Sequence, residues 1–246
     1  LMYWDFAFVA ADQIFNQVAK TRYVFGGHAK IPLVIRGQQG TGRGNAATHS
    51  QSLESLFMHI PGLKVVCPST PADAAGLLRT AIRDDNPVCF FEHKVLYATK
   101  GEVSDDPDFC IPFGKADIKR EGTDVTIVAN LLYVKRALEA ADELAKEGIS
   151  AEVIDPRTLV PFDYDTVAES VKKTGRLVVV HEAHQNNGWG AQVVSQVSQM
   201  VFPYLDAAPV HIGAKACPLP FNLGLEQAVL PSVKDIVDAC KASLYR

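Results

Sequence analysis

The stretch KVVCPSTPADAAGLLRTAIRDDNPVCFFEH, residues 64–93, decides the fold. Its two ends, KVVCPS (64–69) and PVCFFEH (87–93), are short, apolar and rich in β-branched or aromatic residues, as buried strands are. Between them, Thr70 can cap a helix, Pro71 suits the first helical position and Asp73 complements the dipole of the first turn. Pro87 stops the helix. A strand–helix–strand unit of this kind places its strands parallel in one sheet.

The same logic extends outward. Upstream, IPLVIRG (31–37) reads as another buried strand, and apolar spacing from Phe6 to Val18 predicts a helix over about 4–20. Downstream, GEVSDDPDFCIP (101–112) is acidic and turn-rich and reads as a linker. A second alternation follows: strand 124–130, helix 132–147 ended by Gly148, strand 150–156, helix 163–173 ended by Gly175, strand 176–182, helix 189–201, a short strand 209–212 and a helix from Val233. In the 132–147 helix, Ala137, Leu138, Ala141, Leu144 and Ala145 form the expected buried stripe, and Asp142 and Lys146 are spaced to pair. The expectation is an α/β protein with two parallel-sheet domains, 1–112 including the linker and 113–246.

The chain has 246 residues, 48% of them apolar, 21% charged, with a net charge of −4. That balance is globular. Without a Lys/Arg cluster it offers no nucleic-acid surface, and no apolar run reaches the ~20 residues of a membrane span. The first residues carry early acids and no basic leader, unlike a signal peptide. Five scattered cysteines lack any C-x-x-C pair, so reduced intracellular thiols are expected.

Four stretches are candidates for chemistry. In RGQQGTGRGNAATHSQ (36–51), Gly40, Gly42 and Gly44 permit positive φ, but a dinucleotide fingerprint needs glycine where Asn45 stands, and no Gly-Lys-Ser/Thr follows. A loop after a buried strand is where open α/β sheets bind ligands. His49 has the acid/base range of imidazole, while Ser50 can equally serve as a helix cap. HEAH (181–184) sets its histidines at i and i+3 rather than the zincin i and i+4, and reads as a strand end. Gly188 and Gly190 then open a helix whose N-terminus is a weak anion site. AIRDDNP (81–87) ends a helix with spare carbonyls beside Asp84 and Asn86, oxygens suited to a hard cation or simply to water.

Taken together and in order, DFAFVAADQIFNQVAK, PLVIRG, THSQSLESLFMHIPGLKVVCPSTPADAAGLL, AIRDDNPVCFFEHKVLY, KREGTDVTIV, EVIDPRTLVPFD and KTGRLVVVHEA give the chain its family likeness. It resembles, over essentially its whole length, the beta subunits of thiamine-diphosphate-dependent 2-oxo acid dehydrogenases, the pyruvate, branched-chain and acetoin enzymes. The resemblance implies a partial transketolase-like pyrimidine-binding domain and a transketolase C-terminal-type domain. It places His49 at the active-site histidine that assists acyl transfer to a lipoyl group, and Phe6 at the aromatic residue packing on the aminopyrimidine ring. It also implies a structural potassium ion at Leu33, Ala81, Ile82, Asp84 and Asn86, the first three through their carbonyls. Thr48 stands where the family commonly has Gln, and Ala216 where it has Asp.

The family's catalytic glutamate falls N-terminal to Leu1, so the resemblance implies an N-terminally incomplete subunit, inactive alone. No Gly-Asp-Gly…Asn motif for magnesium diphosphate is present, which implies an alpha subunit supplying it, beside a second beta subunit and a lipoyl-bearing acyltransferase. The compartment implied is the bacterial cytoplasm or the mitochondrial matrix. EHKVLYATKGEV and IDPRTLVPFD lean toward pyruvate or acetoin as substrate. The alternatives are a non-catalytic assembly paralogue lacking the glutamate, or a fragment of a single-chain transketolase-like enzyme.

Overall fold

The computed structural model describes residues 1–245. Its elements in chain order are a one-piece irregular helix ending in α1 (Ala19–Val24), β1 (Val34–Gln39), α2 (Glu54–Met58), β2 (Lys64–Val66), α3 (Pro71–Ile82) and β3 (Val88–His93). The second half holds β4 (Asp117–Arg120), β5 (Val125–Ala129), α4 (Leu132–Lys146), β6 (Ala151–Asp155), β7 (Thr158–Val160) and α5 (Tyr164–Thr174). It closes with β8 (Leu177–His184), α6 (Trp189–Val201), β9 (Val210–Ala214), α7 (Leu223–Val229) and α8 (Val233–Ser243).

The strands form two sheets, β1-β3-β2-β7 and β4-β6-β5-β8-β9. Both are parallel except at one edge: β7 runs antiparallel to β2, and β4 antiparallel to β6. The two-sheet α/β expectation holds with that refinement. β7 follows β6 in sequence yet joins the first sheet, so the two halves share a strand pairing. No described helix is long and apolar enough to cross a membrane.

Local signals placed most elements. The Thr70 hydroxyl accepts the Asp73 N–H and Pro71 opens α3. Gly175 ends α5 in the left-handed region at φ 71°. Four expectations are corrected. The 4–20 helix is 3₁₀ over Trp4–Ala10 and π over Gln13–Val18 before turning α-helical. The strand expected from residue 31 starts at Val34 and lies at a sheet edge, which leaves Leu33 40% exposed. Ala145 faces solvent, because Tyr133, Val134 and Ala140 complete the buried stripe instead. Lys146 pairs with Glu143, one turn back, and Asp142 with Arg120 of β4.

One large core spans both halves. Trp4, Phe57, Phe91 and Leu159 pack in the same cluster as Val128, Val179 and Trp189. A second core lies between α4, α8 and the other face of the C-terminal sheet, around Ala137, Leu144, Val153 and Ile236.

Candidate active site

The rings of Tyr3, Phe6 and His49 meet beside the end of β1. The His49 imidazole stands edge-on to Phe6 (centroids 5.1 Å apart, 81°) and to Tyr3 (5.0 Å, 80°). Tyr3 bridges to Gln38 in parallel, alongside β1. Trp4, the next residue, is buried and stacked on Phe91 at 3.9 Å. This turn therefore drives Trp4 into the core and leaves Phe6 outward, 41% exposed.

His49 is delivered by the glycine loop. Gly40 and Gly42 have φ of 89° and 95°, where side chains are disfavoured. The turned backbone aims its donors at the second half: Thr41 N–H donates to Glu182 Oε1 at 2.7 Å, and Gly42 N–H to Glu226 Oε2 at 2.9 Å. The loop is thus an anion cradle whose occupants are carboxylates of the same chain. A Cβ on Gly40 would run into the His93 ring and the Glu182 carboxylate.

Glu182 is buried and also receives His93 Nε2 at 2.9 Å and Ser52 Oγ at 3.3 Å. Burial pushes its carboxyl up, but His93 and the Thr41 N–H outweigh that and bring it down to about 2. A second buried carboxyl, Glu54, accepts Gln39 Nε2 at 2.7 Å and Asn130 Nδ2 at 3.4 Å. Gln39 in turn accepts the Leu53 N–H at 3.0 Å. The end of β1, the His49 segment and the C-terminal half are thereby tied through one side-chain chain. Burial raises the Glu54 pKa despite these donors.

The three histidines of the C-terminal half do other work. His181 Nδ1 faces the Ala183 carbonyl at 3.0 Å, so that nitrogen carries the proton, and Nε2 accepts from His211 Nε2 at 2.7 Å. Burial and the neighbouring His211 push His181 down to about 3. His184 contacts the Lys215 carbonyl instead, at 2.8 Å. Ser50 is not a cap: α2 starts at Glu54 after Leu53, and the Ser50 hydroxyl is buried without a partner.

Two family models match the chain: the pyrimidine-binding domain of transketolase over residues 1–100, and the transketolase C-terminal domain over 114–236. The beta subunit of acetoin:2,6-dichlorophenolindophenol oxidoreductase from Cupriavidus necator is 53% identical over 99% of this chain and 72% of its own length. The chain belongs to the transketolase-like dehydrogenase beta-subunit family. The pyruvate dehydrogenase E1 beta subunit of Rhizobium meliloti is 47% identical over the whole chain, which spans 53% of that protein. A solved split-gene transketolase, described as an inactive beta4 tetramer, superimposes with a TM-score of 0.79 at 27% identity, over 99% of this chain and 74% of that one.

For a beta subunit of this family, the relevant guest is thiamine diphosphate, and the residues fit its ring end. Phe6 offers an exposed aromatic face beside His49. On the flanking segments, Asp5 Oδ2, Gln38 Oε1, Thr41 Oγ1 and Ser50 Oγ are buried without hydrogen-bond partners. A flat ring with polar edges suits that combination.

The expected potassium ligands lie together only in part as expected. The Ile31 N–H donates to the Asp85 carbonyl, and Leu33 O accepts the Val88 N–H, which brings the segment before β1 against the end of α3. The side-chain oxygens are already engaged: Asp84 by Lys64 and the Asn86 amides, Asn86 Oδ1 by Arg22 at 3.0 Å. A cation here would rely on the carbonyls of Leu33, Ala81 and Ile82. Among the described residues no three His, Cys, Asp or Glu side chains cluster as metal ligands.

Proposed function

We propose that this chain is the beta subunit of a thiamine-diphosphate-dependent pyruvate or acetoin dehydrogenase. The observation that carries the reading is the edge-on apposition of His49 and the exposed ring of Phe6. When bound, thiamine diphosphate supplies a nucleophilic carbon and an electron sink for cleaving the bond beside the substrate carbonyl. Phe6 would pack on its flat ring and set the orientation. The Thr48 hydroxyl lies 3.1 Å from His49 Nδ1, which leaves Nε2 to hold or hand over a proton during acyl exchange. The Trp4–Phe91 stack and the Glu54 network keep both residues from shifting.

The diphosphate and its magnesium ion would be held by an alpha subunit, and the acyl group would pass to a lipoyl-bearing acyltransferase. Two beta subunits would complete a heterotetramer. Potassium would sit on the carbonyls at the end of α3. Co-purified with its alpha partner, the protein should consume pyruvate or acetoin with an artificial electron acceptor and acylate a lipoyl domain. Loss of neither substrate, nor of a branched 2-oxo acid, from a stable thiamine-loaded assembly would reject the proposal.

A further inference from the structure

Lys94 directly follows β3 and is buried at the back of the His49 segment. Its ammonium lies 2.6 Å from the His49 carbonyl oxygen and 3.3 Å from Asn45 Oδ1, and 5.0 Å from the centre of the Tyr3 ring. Tyr3 is one of the two rings against which the His49 imidazole rests. The Lys94 main-chain carbonyl also accepts Arg43 Nη2 at 2.7 Å. One residue thus grips the loop at 43, 45 and 49 and props the ring beside the imidazole.

We propose that Lys94 is a positioning residue for His49: its ammonium, seated between the His49 carbonyl and the face of Tyr3, fixes the imidazole against Phe6.

The energetics favour a role of this kind over simple packing. A buried ammonium is costly unless an opposite charge neutralises it. Here the direct acceptors are two neutral oxygens and an aromatic face. Asp5, Glu182 and Glu226 act on it only as longer-range charges, with Arg43 opposing them, and burial lowers its pKa. A methionine would fill the same space at lower cost. What methionine cannot do is hold a carbonyl and a ring face at once.

The catalytic part of this inference rests on the proposed function; the geometric part does not. The first readout is therefore the imidazole ¹⁵N NMR signal of His49 in the full chain, assigned by its loss in His49→Ala. In Lys94→Met that signal should shift or broaden, because the carbonyl and the Tyr3 ring lose their common anchor. A His49 signal superimposable on that of the parent protein would overturn the proposal. Should Lys94→Met fail to fold, Lys94→Gln, which keeps a polar tip but loses the charge and reach, is scored by the same criterion.

The second readout is acylation of a lipoyl domain by the alpha–beta assembly. Lys94→Met should lower its kcat about tenfold or more, as misplacement of a reacting group by a fraction of an ångström does. Combined with His49→Ala, it should cost nothing further, because it acts through that residue. Losses that multiply in the double variant would mean a merely structural lysine and reject the proposal. An unmodified assembly that acylates nothing would remove the proposed function, and the NMR signal would still decide the placement of His49.

Discussion

His93 Nε2 and Glu182 Oε2 meet at 2.9 Å, buried, at the point where the two halves of the chain close on each other. His93 ends β3 of the first sheet and Glu182 lies in β8 of the second. The same carboxylate takes the Thr41 N–H of the glycine loop. The clasp and the loop carrying His49 are therefore mechanically one unit.

Glu182→Gln should destabilise the protein by about 1.5–3 kcal/mol at neutral pH, the usual cost of losing hydrogen bonds to a buried charged group. The folded-state pKa of Glu182 is depressed to about 2, His93 and Thr41 outweighing the effect of burial. Its contribution is thus present above the unfolded value of about 4.5 and is lost as pH falls through about 2. Urea unfolding of both proteins should show the gap narrowing across that window. A gap unchanged by acid would contradict the assignment.

Gly40→Ala should be worse than an ordinary glycine substitution. Its φ of 89° is strained for alanine, and the added methyl meets His93 and Glu182. A loss of about 2–5 kcal/mol is expected from strain and overpacking combined. Equal melting temperatures for the two proteins would mean that the loop relaxes freely.

In the reconstituted assembly, His49→Ala should lower lipoyl acylation about a hundredfold or more, the range of a lost acid/base group. Assembly and melting should hold, since the imidazole is half-buried, its side-chain hydrogen bond is to neighbouring Thr48 and its ring contacts are with Tyr3 and the exposed Phe6. Stopped-flow acylation and size-exclusion chromatography measure the two separately. Undiminished acylation would return His49 to a loop residue.

Asp155 titrates the other way. Burial pushes its carboxyl up to about 6, with Lys119 at 3.9 Å and the Ser69 hydroxyl opposing only partly. A raised folded pKa favours folding fully below the unfolded value near 3.8 and loses that effect as pH rises through about 6. Asp155→Asn should therefore flatten stability between pH 4 and 6, a change on the order of 2–3 kcal/mol. Parallel pH–stability curves for the two proteins would refute it.

Potassium chloride should raise the melting temperature above that in lithium chloride of equal ionic strength. A saturated carbonyl site at the end of α3 corresponds to on the order of 1–3 kcal/mol. Identical melting in both salts would reject a potassium site on these carbonyls.

Elements with local punctuation were legible: Thr70 and Pro71 for α3, Gly175 after α5, and most of the apolar stripe of α4, Ala145 excepted. Family likeness named Phe6 and His49, and the structure brings their rings together. Contacts between distant segments were not legible. HEAH drew attention to its histidines, yet Glu182 between them makes the clasp, because partners 141 and 89 residues away define it. Lys94 ends an apolar strand, and sequence does not distinguish a buried lysine from a solvated one. β7 is a three-residue strand, too short for a periodic signal. α7 is absent from the sequence expectations, although Asn222, whose side chain accepts the Gly224 and Leu225 N–H groups, is a cap signal for it.

β7 has a consequence for any attempt to take the molecule apart. Because Thr158–Val160 pairs with β2, a protease that nicks the 101–112 segment releases no independent half. The N-terminal fragment would keep its partner strand only by remaining bound to the C-terminal one. The nicked protein should therefore migrate as one body until denatured, and two separately expressed halves should complement each other when mixed rather than fold apart.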